Sequence, residues 1–204
     1  MSYYSYKITR DYGFAPNPFY GNCTLACCKP HIRKKAIVGD WIIGTGAVEN
    51  RLLNHLIYIM KVTETMAFND YWNDQRFKFK KPIINGSLKQ MHGDNIYFQK
   101  DGSWQQMDSH HSLHAGIIND ANLKQDLSGE NVLVSNCFVY LGNKCFNIPE
   151  KYASICPGRR TRDYLTIVDE SLATEFIDSV INHYGLGIKG DPINWKEYKQ
   201  TTLL

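Results

Sequence analysis

Two short apolar runs, Trp41-Ile42-Ile43-Gly44 and Leu56-Ile57-Tyr58-Ile59-Met60-Lys61-Val62, set the folding problem for this chain. Both are rich in branched and aromatic residues, which suit a pleated and half-buried surface. Gly39-Asp40 is a tight-turn pair that feeds the first run, and a polar loop through Glu49-Asn50-Arg51 separates it from the second. The pair therefore reads as neighbouring antiparallel strands. In the first, Trp41 and Ile43 face one side of the sheet and Ile42 the other.

The rest of the chain fits around that pair. Tyr3 to Thr9 alternates as a first strand, and Gly13-Phe14-Ala15-Pro16-Asn17-Pro18-Phe19-Tyr20-Gly21 follows as a ring-rich loop. Leu25, Cys28, Ile32 and Ala36 recur at helical spacing, which Pro30 divides into two short turns. Asn69 is the expected cap of a short aromatic helix that stops near Lys78 to Lys81 and Pro82. From Ile83 to Asp126 the chain is polar and loop-rich, except for a hairpin of Asn95 to Phe98 and Ser103 to Gln106 across Asp101-Gly102. Asn131 to Ser135 and Cys137 to Leu141 complete the strands. Behind Asp169-Glu170-Ser171, the stripe Leu172, Phe176, Ile177, Val180, Ile181 and Tyr184 predicts an amphipathic helix ending at Gly185. In the tail Trp195 and Tyr198 are packing anchors, and the last four residues are expected to fray.

These elements predict an α+β fold: a mixed β-barrel of five to eight strands with short peripheral helices and a C-terminal amphipathic helix. The 204 residues fit one domain, residues 1–165, on which residues 166–204 pack as helix and tail. Neither a signal peptide nor a membrane span is legible, so a cytosolic protein with six reduced cysteines is expected. The net charge of +3 is too small to argue by itself for wrapping duplex nucleic acid. Neither a Gly-x-Ser-x-Gly elbow nor a Walker-type phosphate loop is present.

A basic segment, a Val-Gly-Asp-Trp turn into a strand ending Gly-Thr-Gly, a strand reading Leu-Ile-Tyr-Ile-Met-Lys-Val, and a Tyr-Trp-Asn-Asp-Gln-Arg-Phe turn together resemble PUA-like domains of the EVE and YTH groups. The chain also resembles the second family of nucleotide-modification-associated domains. That likeness rests on Gly13-Phe14-Ala15-Pro16-Asn17-Pro18, Gly39-Asp40-Trp41, Gly93-Asp94-Asn95-Ile96-Tyr97 and Gly158-Arg159-Arg160. It spans Tyr6 to Tyr164 and implies a small aromatic-lined barrel pocket in a setting where hypermodified DNA bases are made or handled. The partner so implied is a nucleic acid or free nucleotide carrying a modified base.

Within that expectation Trp41 is either a stacking wall of the pocket or part of the core, and Thr45 and Gly46 lie where the strand emerges. Asn17 offers a bidentate amide beside the ring of Phe19, or else forms an Asx turn. Two basic runs, His31-Arg33-Lys34-Lys35 and Arg159-Arg160-Arg162, would make a phosphate clamp if they converge. Cys23, Cys27, Cys28 and His31 do not match a zinc pattern and read as small buried thiols. His110, His111 and His114, with Asp94, are the candidate acid and base groups. Three readings follow: a module binding a modified nucleobase, an enzyme acting on a modified nucleotide through His and Asp, and a scaffold subunit meeting a protein partner. No metal or cofactor is called for.

Overall fold

The computed structural model describes residues 1–161 and 163–197. Twelve strands are formed among them: β1 (Tyr3–Ile8), β2 (Cys23–Leu25), β3 (Trp41–Gly46), β4 (His55–Lys61), β5 (Glu64–Ala67), β6 (Tyr97–Lys100), β7 (Ser103–Gln106), β8 (Asn131–Ser135), β9 (Cys137–Tyr140), β10 (Phe146–Asn147), β11 (Tyr164–Thr166) and β12 (Gly187–Ile188). The α-helices are α1 (Pro30–Lys35), α2 (Phe68–Asn73), α3 (Leu88–Met91), α4 (Asp120–Leu127) and α5 (Glu170–Tyr184).

The central sheet runs β11-β1-β3-β4-β9-β12, with β10 also paired to β4. β3 and β4 are antiparallel neighbours, whereas β1 joins β3 in parallel register. A bulge interrupts the β3–β4 ladder: Gly44 opposes Tyr58 and Thr45 opposes Leu56, which leaves Ile57 as the extra residue. Ile57 and Tyr58 consequently share one core while Leu56 and Ile59 face the other.

Both faces of this sheet are covered. On one, Trp41, Ile43 and Ile59 pack against Phe176, Ile177 and Val180 of α5. Asp169 caps that helix by accepting from the Leu172 amide, and Gly185 ends it at φ 68. On the other, Tyr6, Ile42 and Met60 meet Cys23, Leu25 and Leu133 of a second sheet, ordered β2-β8-β5. The far face of that sheet, through Val132 and Val134, buries Phe68, Tyr71, Phe77 and Tyr97. The expected closed barrel is therefore corrected. The described residues form a mixed α+β fold of stacked open sheets, because a helix and a second sheet bury the two apolar faces without closure.

Several local expectations also shift. Cys23 to Leu25 pair with β8 as a strand, and helix begins only at Pro30. The aromatic helix starts at Phe68 after Ala67, and the Asn69 side chain accepts from the Gln99 amide instead of capping it. The polar middle contains α4, capped by Asn119. The C-terminal segment returns to the core at Asp11, whose carboxylate accepts from the Tyr140 hydroxyl at 2.6 Å and from the Ile193 amide at 3.2 Å. Tyr198 and the final residues lie outside the described part. No helix among the described residues is long and apolar enough to cross a membrane.

Candidate functional site

The start of α1, the end of β1 and the loop after Cys156 meet around a cleft of about 960 Å³. Lys7, Arg10, Lys29, His31, Arg159 and Arg160 line it, against the carboxylates of Glu49 and Asp163. Lys7 Nζ donates to the Arg159 carbonyl at 3.1 Å and so ties the arginine loop to β1. Asp163 draws the other side together: His31 Nδ1 lies 2.5 Å from its Oδ2, and Lys29 Nζ donates to its carbonyl at 3.2 Å. Burial lowers the pKa of Lys29, and Asp163 acts in the opposite direction.

Cys28 lies in the wall of this cleft, half-buried, with φ 60. Lys29 follows at φ 42, so two consecutive side-chain-bearing residues occupy the left-handed region. Such a position costs about 1–3 kcal/mol per residue and persists only where the surroundings enforce it. Here the enforcement is visible. The Cys28 amide donates to Asp126 Oδ1 at 2.7 Å, and Arg33 Nε donates to the Cys28 carbonyl at 2.7 Å.

Behind Cys28 stands a chain of polar groups. Cys28 Sγ lies 3.6 Å from His111 Nε2, and His111 Nδ1 lies 2.7 Å from Asp126 Oδ2. The Tyr97 hydroxyl donates to the same carboxylate oxygen at 2.7 Å. The ring of Phe14 lies 4.7 Å from that of His111, tilted by 59° to it. Burial acts against the imidazolium of His111, but Asp126 and Cys28 outweigh it and raise the pKa to about 10. Asp126 is the complement: burial alone would raise it, yet His111, Arg33 and Tyr97 hold its carboxyl below the ordinary value. A thiol, a ring nitrogen and an orienting carboxylate in this order form the arrangement that nucleophilic catalysis by cysteine requires.

The residues singled out from sequence fall in different places. His31, Arg159 and Arg160 share the cleft, whereas Arg162 lies outside the described residues. Arg33 is 0% exposed and donates to the carbonyls of Cys28, Asn131 and Asp126, so its guanidinium is internal and does not reach a phosphate. Lys34 pairs with Glu130, and Lys35 donates to the Tyr164 hydroxyl at 2.7 Å, away from the cleft wall. Trp41 is 8% exposed within the core beneath α5. Thr45 is buried with its hydroxyl donating to the Tyr6 carbonyl, and Gly46 is pressed against Leu52. The ends of β3 are thus closed to a base.

Asn17 is fully buried, and its backbone carbonyl and side-chain oxygen both accept from Lys80 Nζ, at 2.9 and 2.8 Å. Phe19 stacks on Trp195 at 5.4 Å. Asp94 is buried, and its carboxylate accepts from the Thr24 and Tyr71 hydroxyls. The three histidines are placed differently: His110 and His114 line a separate cleft of about 410 Å³ with Asp108, while His111 turns inward to Asp126.

Cys27, His111 and Asp126 also place one potential metal-ligand atom each within 4.8 Å of one another. The fit is poor. Burial pushes the Cys27 thiol well up, its sulfur donates to the Asp94 carbonyl, and the His111 and Asp126 atoms are already bonded to each other. Sequence reasoning read Cys28 as a small buried thiol, whereas it is half-buried in the cleft wall, and it passed over Asp126, Lys7, Arg10 and Lys29. Asp126 was hidden because α4 has few apolar residues, and its one signal is Leu123 and Leu127 at helical spacing behind Asn119.

A family model described as nucleotide modification associated domain 2 matches residues 1–199. No curated protein and no solved structure gives a significant match.

Proposed function

We propose a function from the premise that this chain belongs to the nucleotide modification associated domain 2 family: its basic cleft binds a nucleotide, free or within a strand, that carries a modified base. The observation that carries this reading is the convergence of Lys7, Arg10, Lys29, Arg159 and Arg160 on one cleft. Guanidinium groups match phosphate bidentately, and lysines add point charge beside them. A volume of about 960 Å³ is at the upper end of small-ligand sites and holds a nucleotide with room for a substituent on its base. Tyr6, Ile8 and Ala15 supply apolar wall for the base, and Glu49 and Asp163 supply acceptors for a sugar hydroxyl or an exocyclic amine.

The test is a thermal-shift panel of mononucleotides and short single strands, with canonical and modified bases, run on the wild type and on Arg159→Ala/Arg160→Ala. A ligand at 100 times its Kd adds about 2.7 kcal/mol of stability. Shifts that depend on the two arginines support the reading. A panel that shifts neither protein, or shifts both equally, overturns it.

A further inference from the structure

We propose that Cys28 is a nucleophile for acyl transfer, with His111 as its acid and base and Asp126 as the residue that positions His111, acting on an amide or ester borne by the ligand of the basic cleft. The substrate class rests on the nucleotide reading above, whereas the nucleophile stands on its own geometry.

Three observations meet at Cys28. Its sulfur is 3.6 Å from a ring nitrogen whose partner nitrogen is held by a buried carboxylate at 2.7 Å. Its backbone is kept in the left-handed region from both sides, by Asp126 on the amide and Arg33 on the carbonyl. It belongs to the cleft wall and is half-buried, while Cys23 and Cys27 are fully buried. A left-handed, side-chain-bearing residue that two buried charged groups hold in place is strain retained at a cost, and such strain clusters at functional positions. Asp126 belongs to both the strain and the base, so the same carboxylate sets the sulfur and the imidazole relative to each other.

The chemistry balances without an added oxidant or metal. The Cys28 thiol gives its proton to His111 Nε2, a sulfur lone pair forms a C–S bond to the acyl carbon, the C–N or C–O bond breaks, and the departing nitrogen or oxygen takes that proton from Nε2. Water then attacks the thioester and passes its proton to Nε2. The C–S bond breaks with its electron pair returning to sulfur, and a carboxylic acid is released. One water is consumed per amide or ester cleaved. Asp126 stays ionised throughout and keeps Nδ1 engaged.

The wild-type protein is mixed with p-nitrophenyl acetate, the release of p-nitrophenolate is followed, and the acetylated peptide is located by mass spectrometry. A burst of about one equivalent with the acetyl group on Cys28 is expected, lost in Cys28→Ser and slowed by about 10²–10⁴-fold in His111→Gln. Because His111→Gln removes a buried partner of Asp126 and can unfold the chain, iodoacetamide labelling of the wild type provides a second arm. Cys28 is expected to react faster than the other half-buried thiols, Cys137 and Cys145, from pH 6 to 9. The groups facing His111 in that range are Asp126, Cys28, Cys27 and His110, with Arg33 and Tyr97 behind the carboxylate. Asp126→Asn should displace the pH profile of Cys28 labelling, which a purely structural residue would leave in place. Equal labelling of the three cysteines, an acetyl group elsewhere, or one tightly held zinc per chain on Cys27, His111 and Asp126 would overturn the proposal. A Cys28 burst that no nucleotide slows would support the nucleophile and overturn only its nucleotide substrate. Nucleotide binding without any Cys28 adduct would do the reverse.

Discussion

His111 and Asp126 are joined by a 2.7 Å hydrogen bond from Nδ1 to Oδ2, between a half-buried ring and a carboxylate at the end of α4. The bond links a loop that reads as polar filler to a helix that shows in the apolar pattern only through Leu123 and Leu127. It also decides which protonation state the neighbourhood keeps at neutral pH.

That pair predicts a pH window for stability. The pKa of His111 is raised to about 10 in the fold, from about 6.5 in an unfolded chain. The native state therefore binds the proton more tightly, and the contribution is complete below about pH 6.5 and lost as pH rises through about 10. Asp126 is held below its ordinary value, so its contribution is present above about pH 3.9 and lost as pH falls further. Urea unfolding of the wild type and His111→Gln should differ most near pH 5–6 and converge above pH 10. A constant difference across that range would refute the assignment.

His92 should titrate in the opposite sense. Burial and then the charge of His110 lower its pKa to about 4, so the native ring is neutral where an unfolded one is charged. Its contribution is present above about pH 6.5 and is lost as pH falls through about 4. Two-dimensional NMR of the imidazole resonances should place the His92 midpoint near 4 and that of His111 near 10.

Arg33→Ala should act on stability instead of ligand binding. It removes three hydrogen bonds to carbonyls and leaves Asp126 without the guanidinium 3.8 Å from its Oδ1. Breaking one side of a buried pair costs about 3–5 kcal/mol. Equilibrium denaturation checks the magnitude, and an undiminished midpoint would show that the residue is dispensable to the core.

Gly46→Ala should destabilise although it adds a single methyl group. A Cβ there would lie 2.2 Å from the Leu52 carbonyl oxygen, a backbone atom with no rotamer through which to yield. A cost of about 1–3 kcal/mol is expected from overpacking, read by the same denaturation experiment.

Ligand affinity should fall with salt. If Arg159 and Arg160 each neutralise one phosphate of a single strand, log K falls against log salt with a slope of about −0.7 per contact. Arg159→Ala/Arg160→Ala should then flatten the slope by about 1.4. Fluorescence anisotropy of a labelled strand at several salt concentrations measures this, and an unchanged slope would move the phosphates elsewhere.

The sequence by itself determined the elements whose signals are local. The β3 and β4 runs, the Asp101-Gly102 hairpin with both residues at positive φ, and the α5 stripe from Asp169 to Gly185 were legible because period, turn chemistry and caps act over a few residues. Family membership was legible in short motifs read directly from the chain, and the family model matches residues 1–199. Tertiary structure decided the rest. Whether strands close into a barrel depends on what covers their faces, and here α5 and the second sheet do so. Whether a cation is a ligand group or a structural one depends on its surroundings: Arg33 and Lys35 are two residues apart, yet one is internal and the other lies on Tyr164. Cys28, His111 and Asp126 are separated by 83 and 15 positions in the chain. Distance and burial bring them together, and no period or spacing encodes either.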